Sequence, residues 1–405
     1  MKAENWSNVI GGYISWVMDG YDLGAVVITA SILGRLFYPG IGLLGSVLPI
    51  VFTVVSRPLG GFVFGYIGDR YGRRTSLLVT VLGYSLSIGL TAILPTYAQI
   101  GILAAILLSI LRLVQGIFIG GDVSGSFTIV MESIDKYRGI FSGIMQAGVL
   151  VGFVGVDSLF TFLAATTKAE FITFYWRLIF AIGVIPAILA VLIRFKMTEP
   201  SIWAKLKHSD NPIKGLRELP QPFLVMVGFW LAIYAGPQLV STIFGQVMKL
   251  PPSYYGPLVL YMNLIGIPSM IIAGLLSDYI GRRRMGIVGS IIAAIGAIIF
   301  YHYIPLPNTN LLYITLLFGF LVNLPSAITP AFLSERFKTF ARAIGVGTAY
   351  NGAYIIAGFA PIFVSILSQY MSAFSAATII SVVGFIIALI GLIAGPETYK
   401  LSLEQ

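Results

Sequence analysis

GYIGDRYGRR, residues 65–74, and GLLSDYIGRRR, residues 274–284, are two copies of one pattern, Gly-x-x-x-Asp-x-x-Gly-Arg-Arg. Asp69 in the first copy and Asp278 in the second lie 209 residues apart in a chain of 405. Each copy follows one long apolar run and precedes another. A weaker echo pairs ESIDKYR, with Glu132 and Arg138, with SERFKTFAR, with Glu335 and Arg342. Two motifs repeated in one order make the chain a duplication whose halves run in the same sense. Parallel halves with a binding site between them are a transporter architecture.

The material between the motifs is lipid-soluble. The chain is 57% apolar and 10% charged, whereas a soluble domain carries about 25% charged residues. Apolar runs of the length needed to cross a bilayer recur throughout. They fall near 8–32, 42–67, 75–95, 99–131, 139–166, 173–195, 222–247, 255–277, 285–304, 310–333, 342–368 and 372–395. Glycine and proline, 45 and 20 residues, suit membrane helices, where both are enriched. The expected fold is an all-α integral membrane protein of twelve transmembrane helices in two pseudo-symmetric six-helix bundles. The bundles are 1–195 and 222–405, joined by a polar loop at 196–221.

The net charge of +9 does not require a nucleic-acid partner. With the N-terminus placed in the cytoplasm, 19 Lys and Arg residues fall in inner loops and 4 outside, and Arg57 and Arg112 lie within spans. This is the positive-inside pattern of a multi-pass protein of the cell membrane with both termini cytoplasmic. The chain has no cysteine, so disulfides and thiol chemistry are excluded. No metal-ligand cluster, nucleophile–base set or phosphate loop is present. The reading is therefore not an enzyme, with no cofactor and no metal.

Glycine in the repeated loops lets helix ends approach closely. Their charges then pair across neighbouring helix ends, in one state and not in another. The expected gating residues are Asp69, Arg70, Arg73, Arg74, Asp278, Arg282 and Arg283 in the loops. Glu132, Arg138, Glu335 and Arg342 join them, with Asp122 at the inner gate. A lone Gly-Arg-Arg would be a topological anchor; two copies in register argue for more.

These stretches resemble the major facilitator superfamily over nearly the whole chain. SRPLGGFVFGYIGDRYGRR (56–74), LRLVQGIFIGGD (111–122), TEPSIW (198–203), AYNGAYIIAGFAP (349–361) and GPET (395–398) resemble its metabolite:proton and aromatic-acid:proton symporters. GYDLGAVV (20–27) also resembles the first helix of proton-coupled sugar porters. Metabolite symporters usually have Gly-Gly-Glu where this chain has Gly120, Gly121 and Asp122, and the tryptophan usual in the tenth span of sugar porters is absent. The resemblance implies a monomer. In the sugar porters it implies an acid–arginine couple that links proton binding to substrate movement.

Charges inside a bilayer cost about 2.5–3.5 kcal/mol each on insertion scales, so they usually have a task. Asp22 in the first span and Arg112 in the fourth are placed at similar depth. They are the expected proton-coupling pair. Protonation of Asp22 frees Arg112 for an anionic substrate, a carboxylate being the natural bidentate partner. Asp19 either shares the proton with Asp22 or is a hydrated acid of no special role. Arg57, before Pro58, either meets substrate or satisfies carbonyls freed at the proline. Asp157 is a further proton-site candidate. Tyr234, Gln238, Asn323, Tyr350 and Asn351, near breaks in central helices, complete an expected substrate site, with Gln146, which by the resemblance matches a substrate-binding glutamine of the sugar porters. The function expected is proton-coupled symport of a small organic anion, a carboxylate or aromatic acid, with a sugar or polyol as the alternative.

Overall fold

A computed structural model describes residues 3–185, 188, 192, 211–399, 401 and 403. Outside them lie most of the expected linker, the end of the sixth span, and the basic residues Lys2, Arg194, Lys196, Lys205, Lys207 and Lys400. The side chain of Arg73 is also outside the description. Among the described residues, eleven helices are long and apolar enough to cross a membrane. In chain order they are α1 Trp6–Phe37, α2 Gly42–Tyr71, α3 Arg74–Ala92, α4 Ile102–Glu132, α5 Arg138–Thr167, α7 Pro220–Val247, α8 Pro252–Ile280, α9 Arg282–Tyr303, α10 Leu311–Arg336, α11 Thr339–Leu367 and α12 Ala373–Ala394. The apolar helix α6, Phe171–Ile182, is the described part of the remaining span.

Solvent preference sorts the faces. On α3, Val79, Leu82, Leu86 and Leu90 are exposed; on α9, so are Val288, Ile291, Ile295 and Ile298. A three-to-four residue stripe of exposed aliphatics is the face a helix turns to lipid. The buried faces mix small and polar residues, such as Ser76, Thr80, Ser87 and Ser290, with larger side chains such as Leu77, Tyr84 and Phe300. α1 shows the inverse pattern, with nearly all of Tyr21–Leu33 buried, because it sits inside the bundle.

The repeated loops supply the sharp turns. Gly72 and Gly281 have φ of +114° and +99° with extended ψ, a region essentially closed to side-chain-bearing residues. Each therefore breaks one helix and starts the next within a single residue. At the basic end of the molecule, where these loops lie, Asp69 and Asp278 each bond to the other half.

The seams between halves repeat the duplication. α5 packs on α8, and α2 on α11. A Cβ on Gly143 would lie 2.4 Å from the Met270 carbonyl oxygen, and one on Gly274 2.5 Å from that of Gly139. The equivalent seam has Gly61 and Gly347, where each added Cβ would fall 2.5 and 2.6 Å from the other's carbonyl oxygen. Only hydrogen at these positions allows backbone-to-backbone approach.

Three central helices of the second half are broken as expected. α7 is interrupted at Gly236–Pro237, where the Ala235 and Gly236 carbonyls accept from the Tyr301 hydroxyl at 2.8 and 3.0 Å, and that of Gly236 also accepts from the Leu239 N–H at 3.0 Å. α10 opens at Asn323–Leu324 before Pro325, and α11 around Gly358–Phe359 before Pro361. In α2, Ser56 marks the break before Pro58, and its Oγ donates to the carbonyls of Phe52 and Leu113.

Candidate functional site: a charged cavity between the halves

A central cavity of about 40 Å³ lies where α1, α2 and α5 face α7, α8, α10 and α11. That is room for a few waters. Asp19 and Arg57 lie on its wall, and Arg57 Nη2 donates to Asp19 Oδ1 at 3.3 Å. Both are buried, at 1% exposure each, so the pair is cut off from bulk solvent. Asp19 Oδ2 and Arg57 Nε have no partner. Each charge thus keeps unspent bonding capacity beside the cavity.

The expected pairing of Asp22 with Arg112 is not formed. Asp22 Oδ2 accepts from the Gln115 amide. Arg112 donates to Thr91 Oγ1 and stacks 5.6 Å above the Phe180 ring. Counting 1.5 Å per residue from the basic helix ends gives the reason. Asp22 and Gln115 are level at ~24–26 Å, with Arg112 at ~30 Å; Asp19 and Arg57 are level at ~20–21 Å. Three residues also turn a helix ~60° short of a full revolution. Asp19 therefore meets the cavity while Asp22 points into the first half. Arg112 is accordingly not a wall residue.

Among the expected substrate residues, Gln146, Tyr234, Gln238, Asn323 and Tyr350 line the cavity. Gln146 Oε1 and Gln238 Oε1 are buried without partners, a capacity a ligand can use. Asn351 does not line it. One residue past Tyr350, it turns toward α4 and donates to the Gly120 carbonyl at 2.8 Å. Asn263 and three aromatic residues, Trp16, Trp230 and Tyr354, were not anticipated. Their signal was legible: Trp16 precedes Asp19 by three residues, Trp230 precedes Tyr234 by four, and Tyr354 follows Tyr350 by four. Those are same-face spacings. Trp230 stacks on Tyr354 at 5.7 Å and tilts against Tyr350 at 4.5 Å, while Arg57 sits 5.6 Å over Tyr354.

At the basic end, the duplicated motifs tie one half to the other. Asp69 accepts from the backbone N–H groups of Ala343 and Ile344 at 3.1 and 2.8 Å. Asp278 accepts from those of Gly139 and Ile140 at 2.8 and 2.9 Å. Each carboxylate thus sits on the N-terminus of a helix in the other half, where free N–H groups and the helix dipole favour an anion. Glu132 pairs with Arg342 at 2.8 Å, and Glu335 with Arg138 at 3.5 Å and Arg282 at 3.4 Å. Arg282 also pairs with Asp278 at 2.9 Å.

Of the other expected gating residues, Arg283 bonds within its own half, donating to the carbonyls of Leu392 and Ile393, which end α12. Asp122 accepts from Ser15 at 2.7 Å and Ser126 at 3.2 Å, at a depth of ~15 Å, level with Ser15. Arg70 is exposed, and Arg74 is half-buried where α3 begins. At the far end, Arg35 donates to the Gly245 carbonyl at 3.0 Å and Ser241 to that of Val27 at 2.7 Å. Contacts between halves are therefore made at both ends of the cavity.

The family model described as Major Facilitator Superfamily matches residues 13–358. The chain belongs to the Major Facilitator Superfamily. Relatives include the proline/betaine transporter of Escherichia coli K12, 28% identical across 85% of this chain and 74% of that one. The shikimate transporter of the same strain is 28% identical across 90% and 88%. The glycine betaine/proline/ectoine/pipecolic acid transporter OusA of Dickeya dadantii is 27% identical across 93% and 80%. Among solved structures, the proton:xylose symporter XylE bound to 6-bromo-6-deoxy-D-glucose superimposes with a TM-score of 0.80 at 18% identity, covering 99% and 98% of the two chains. The inward-open xylose transporter XylE from E. coli gives 0.71 at 19%, covering 99% and 98%. This superfamily member is a multi-pass membrane transporter and not an enzyme.

Proposed function

We propose that this superfamily member is a proton-coupled symporter of a small carboxylate-bearing solute. It works by alternating access in the cell membrane, with both termini cytoplasmic. The observation that carries the reading is the buried Asp19–Arg57 pair on the cavity wall between the halves. Protonation of Asp19 leaves Arg57 an unbalanced buried cation, which is costly. A solute carboxylate restores the balance through a charge-assisted fork. Proton and solute are thus each favourable only with the other: loaded with a simple carboxylate the site carries no net charge, and loaded with a zwitterion it carries the single positive charge of the proton. The Asp22–Gln115 and Arg112–Thr91 contacts then hold the first half together beside the couple.

Two kinds of carboxylate fit the wall. An organic acid needs only Arg57 and the amides of Gln146, Gln238 and Asn323. A zwitterion needs a second site for its cationic end, and Trp16, Trp230, Tyr234, Tyr350 and Tyr354 supply aromatic faces of the type that hold alkylammonium groups. The relatives named for proline and betaine and the one named for shikimate represent the two kinds. The aromatic wall favours the zwitterion. A sugar or polyol uses the amides but gives the buried ion pair no role.

The test uses purified protein in proteoliposomes with an internal pH dye. Betaines, imino acids, carboxylates, aromatic acids and sugars are added one class at a time. Acidification driven by one carboxylate-bearing class, lost in Asp19→Asn while solute exchange at equal concentrations persists, is the expected result. Proton flux that survives Asp19→Asn and vanishes in Asp22→Asn overturns the assignment of the couple. Acidification by sugars alone overturns the substrate reading.

A further inference from the structure

The seam between α5 and α8 is fastened differently at its two ends. At the basic end, Asp278 grips backbone N–H groups of α5. Toward the far end, the polar tie across the seam is Asn263 Nδ2 donating to Asp157 Oδ2 at 2.7 Å. Beyond it the contact is apolar: the Phe160 ring lies against Tyr255 at 5.5 Å, and Gly256 faces Thr161.

Asp157 is buried, at 1% exposure, and no Lys, Arg or His among the described residues pairs with it. The titratable groups on the packed elements are engaged elsewhere. Asp22 on α1 accepts from Gln115, Tyr21 on α1 donates to the Ile179 carbonyl, and Tyr255 on α8 shares a hydrogen bond with Ser31. α6 brings Phe171 against Phe160. Lys168 and Glu170 are exposed at the end of α5, ~16 Å or more along the axis. Every other buried acid in contact between the halves has an arginine or helix N–H groups; this one has an amide.

We infer that Asp157 is a second proton-binding site, one that controls the gate at the far end rather than carrying protons across the membrane. An ionised carboxylate cannot return to this seam without a cation. In its neutral form it fits, with one oxygen accepting from Asn263. Opening the far end brings Asp157 to solvent, where it gives its proton to water. Closing takes a proton back from water on that side. The proton returns to the side it came from, so the number carried with each solute is unchanged. Asn263 also lines the central cavity, so a bound solute touches the same latch. The inference rests on alternating access as proposed above, and it leaves the Asp19–Arg57 couple as the site of transport coupling.

The chain has no cysteine, so a single introduced thiol reports on the gate without background. Thr161→Cys places it on the far part of the seam, against Gly256; Ala98→Cys, exposed between α3 and α4, is the reference. Proteoliposomes are labelled from outside with an impermeant maleimide between about pH 5 and pH 8. Labelling at Thr161→Cys relative to Ala98→Cys is expected to rise several-fold with pH. It is expected to stay low and flat in Asp157→Asn, and to keep its slope in Asp157→Glu. Asp157→Ser, also neutral, replaces Asp157→Asn should the latter not fold, as judged by its Tm. The same slope with Asp157 and with its neutral replacement, or no slope with Asp157 in place, overturns the inference. The readout is accessibility, so Asp19→Asn retains the slope. A failure of the gate therefore reads separately from a failure of coupling.

Discussion

At the scale of single residues, the cavity wall is governed by one charge pair and the geometry it needs. Arg57→Lys keeps the charge but loses the planar fork. With one charge-assisted hydrogen bond removed, KM for the solute is expected to rise ~10–100-fold with the maximal rate largely kept, measured by uptake in proteoliposomes. The aromatic wall separates the two substrate kinds. Tyr354→Leu removes the ring that stacks on Trp230 and lies under Arg57. Binding of a zwitterion is expected to weaken ~5–30-fold, an aromatic cation contact being worth about 1–2 kcal/mol when desolvated. A simple carboxylate is expected to be affected less. Equal losses for both would argue against a cationic end on this wall.

At the scale of elements, the repeated loops are built on backbone conformation. Gly72 and Gly281 hold their positive φ with extended ψ at equivalent joints. Alanine at either position is expected to cost about 1–3 kcal/mol, seen as a lowered Tm in detergent. The seams respond to volume instead. Gly143→Leu drives a side chain into the Met270 carbonyl, 2.4 Å from the first added carbon, and forces α5 away from α8. The expected outcome is a folded bundle that binds at the far side but cannot close its basic end, measured as binding without uptake.

At the scale of the whole molecule, two aspartates and two ion pairs related by the duplication tie the halves together at the basic end. Glu132 is buried against Arg342. Glu132→Gln leaves that arginine without its counter-charge, and removing one partner of a buried pair costs about 3–5 kcal/mol. The cost falls on the conformation that contains the pair. The carrier is therefore expected to shift toward a basic-end-open state. The check is faster alkylation of a thiol at Ile344→Cys, a position whose N–H now bonds Asp69. Asp69→Asn and Asp278→Asn are expected to act in the same direction, each through its own helix N-terminus.

Sequence by itself determined much of this protein. Hydrophobic run length set the spans, because lipid demands helices of fixed length. Repetition of the Gly-Arg-Arg loops set two parallel halves. Proline and glycine set the breaks in α7, α10 and α11, because a proline has no N–H to give. Buried charge marked Asp19, Asp22, Arg57 and Arg112 as a group. The tertiary structure alone decided which of these charges meet. Pairing depends on depth and azimuth together, and the ~60° and ~4.5 Å between Asp19 and Asp22 fall inside the error of any helix boundary read from hydropathy. The same holds for Asp69 and Asp278. Their loops announced a gate, but their partners are backbone N–H groups of helices 138 residues or more distant in order, and a backbone group carries no side-chain signature in the sequence.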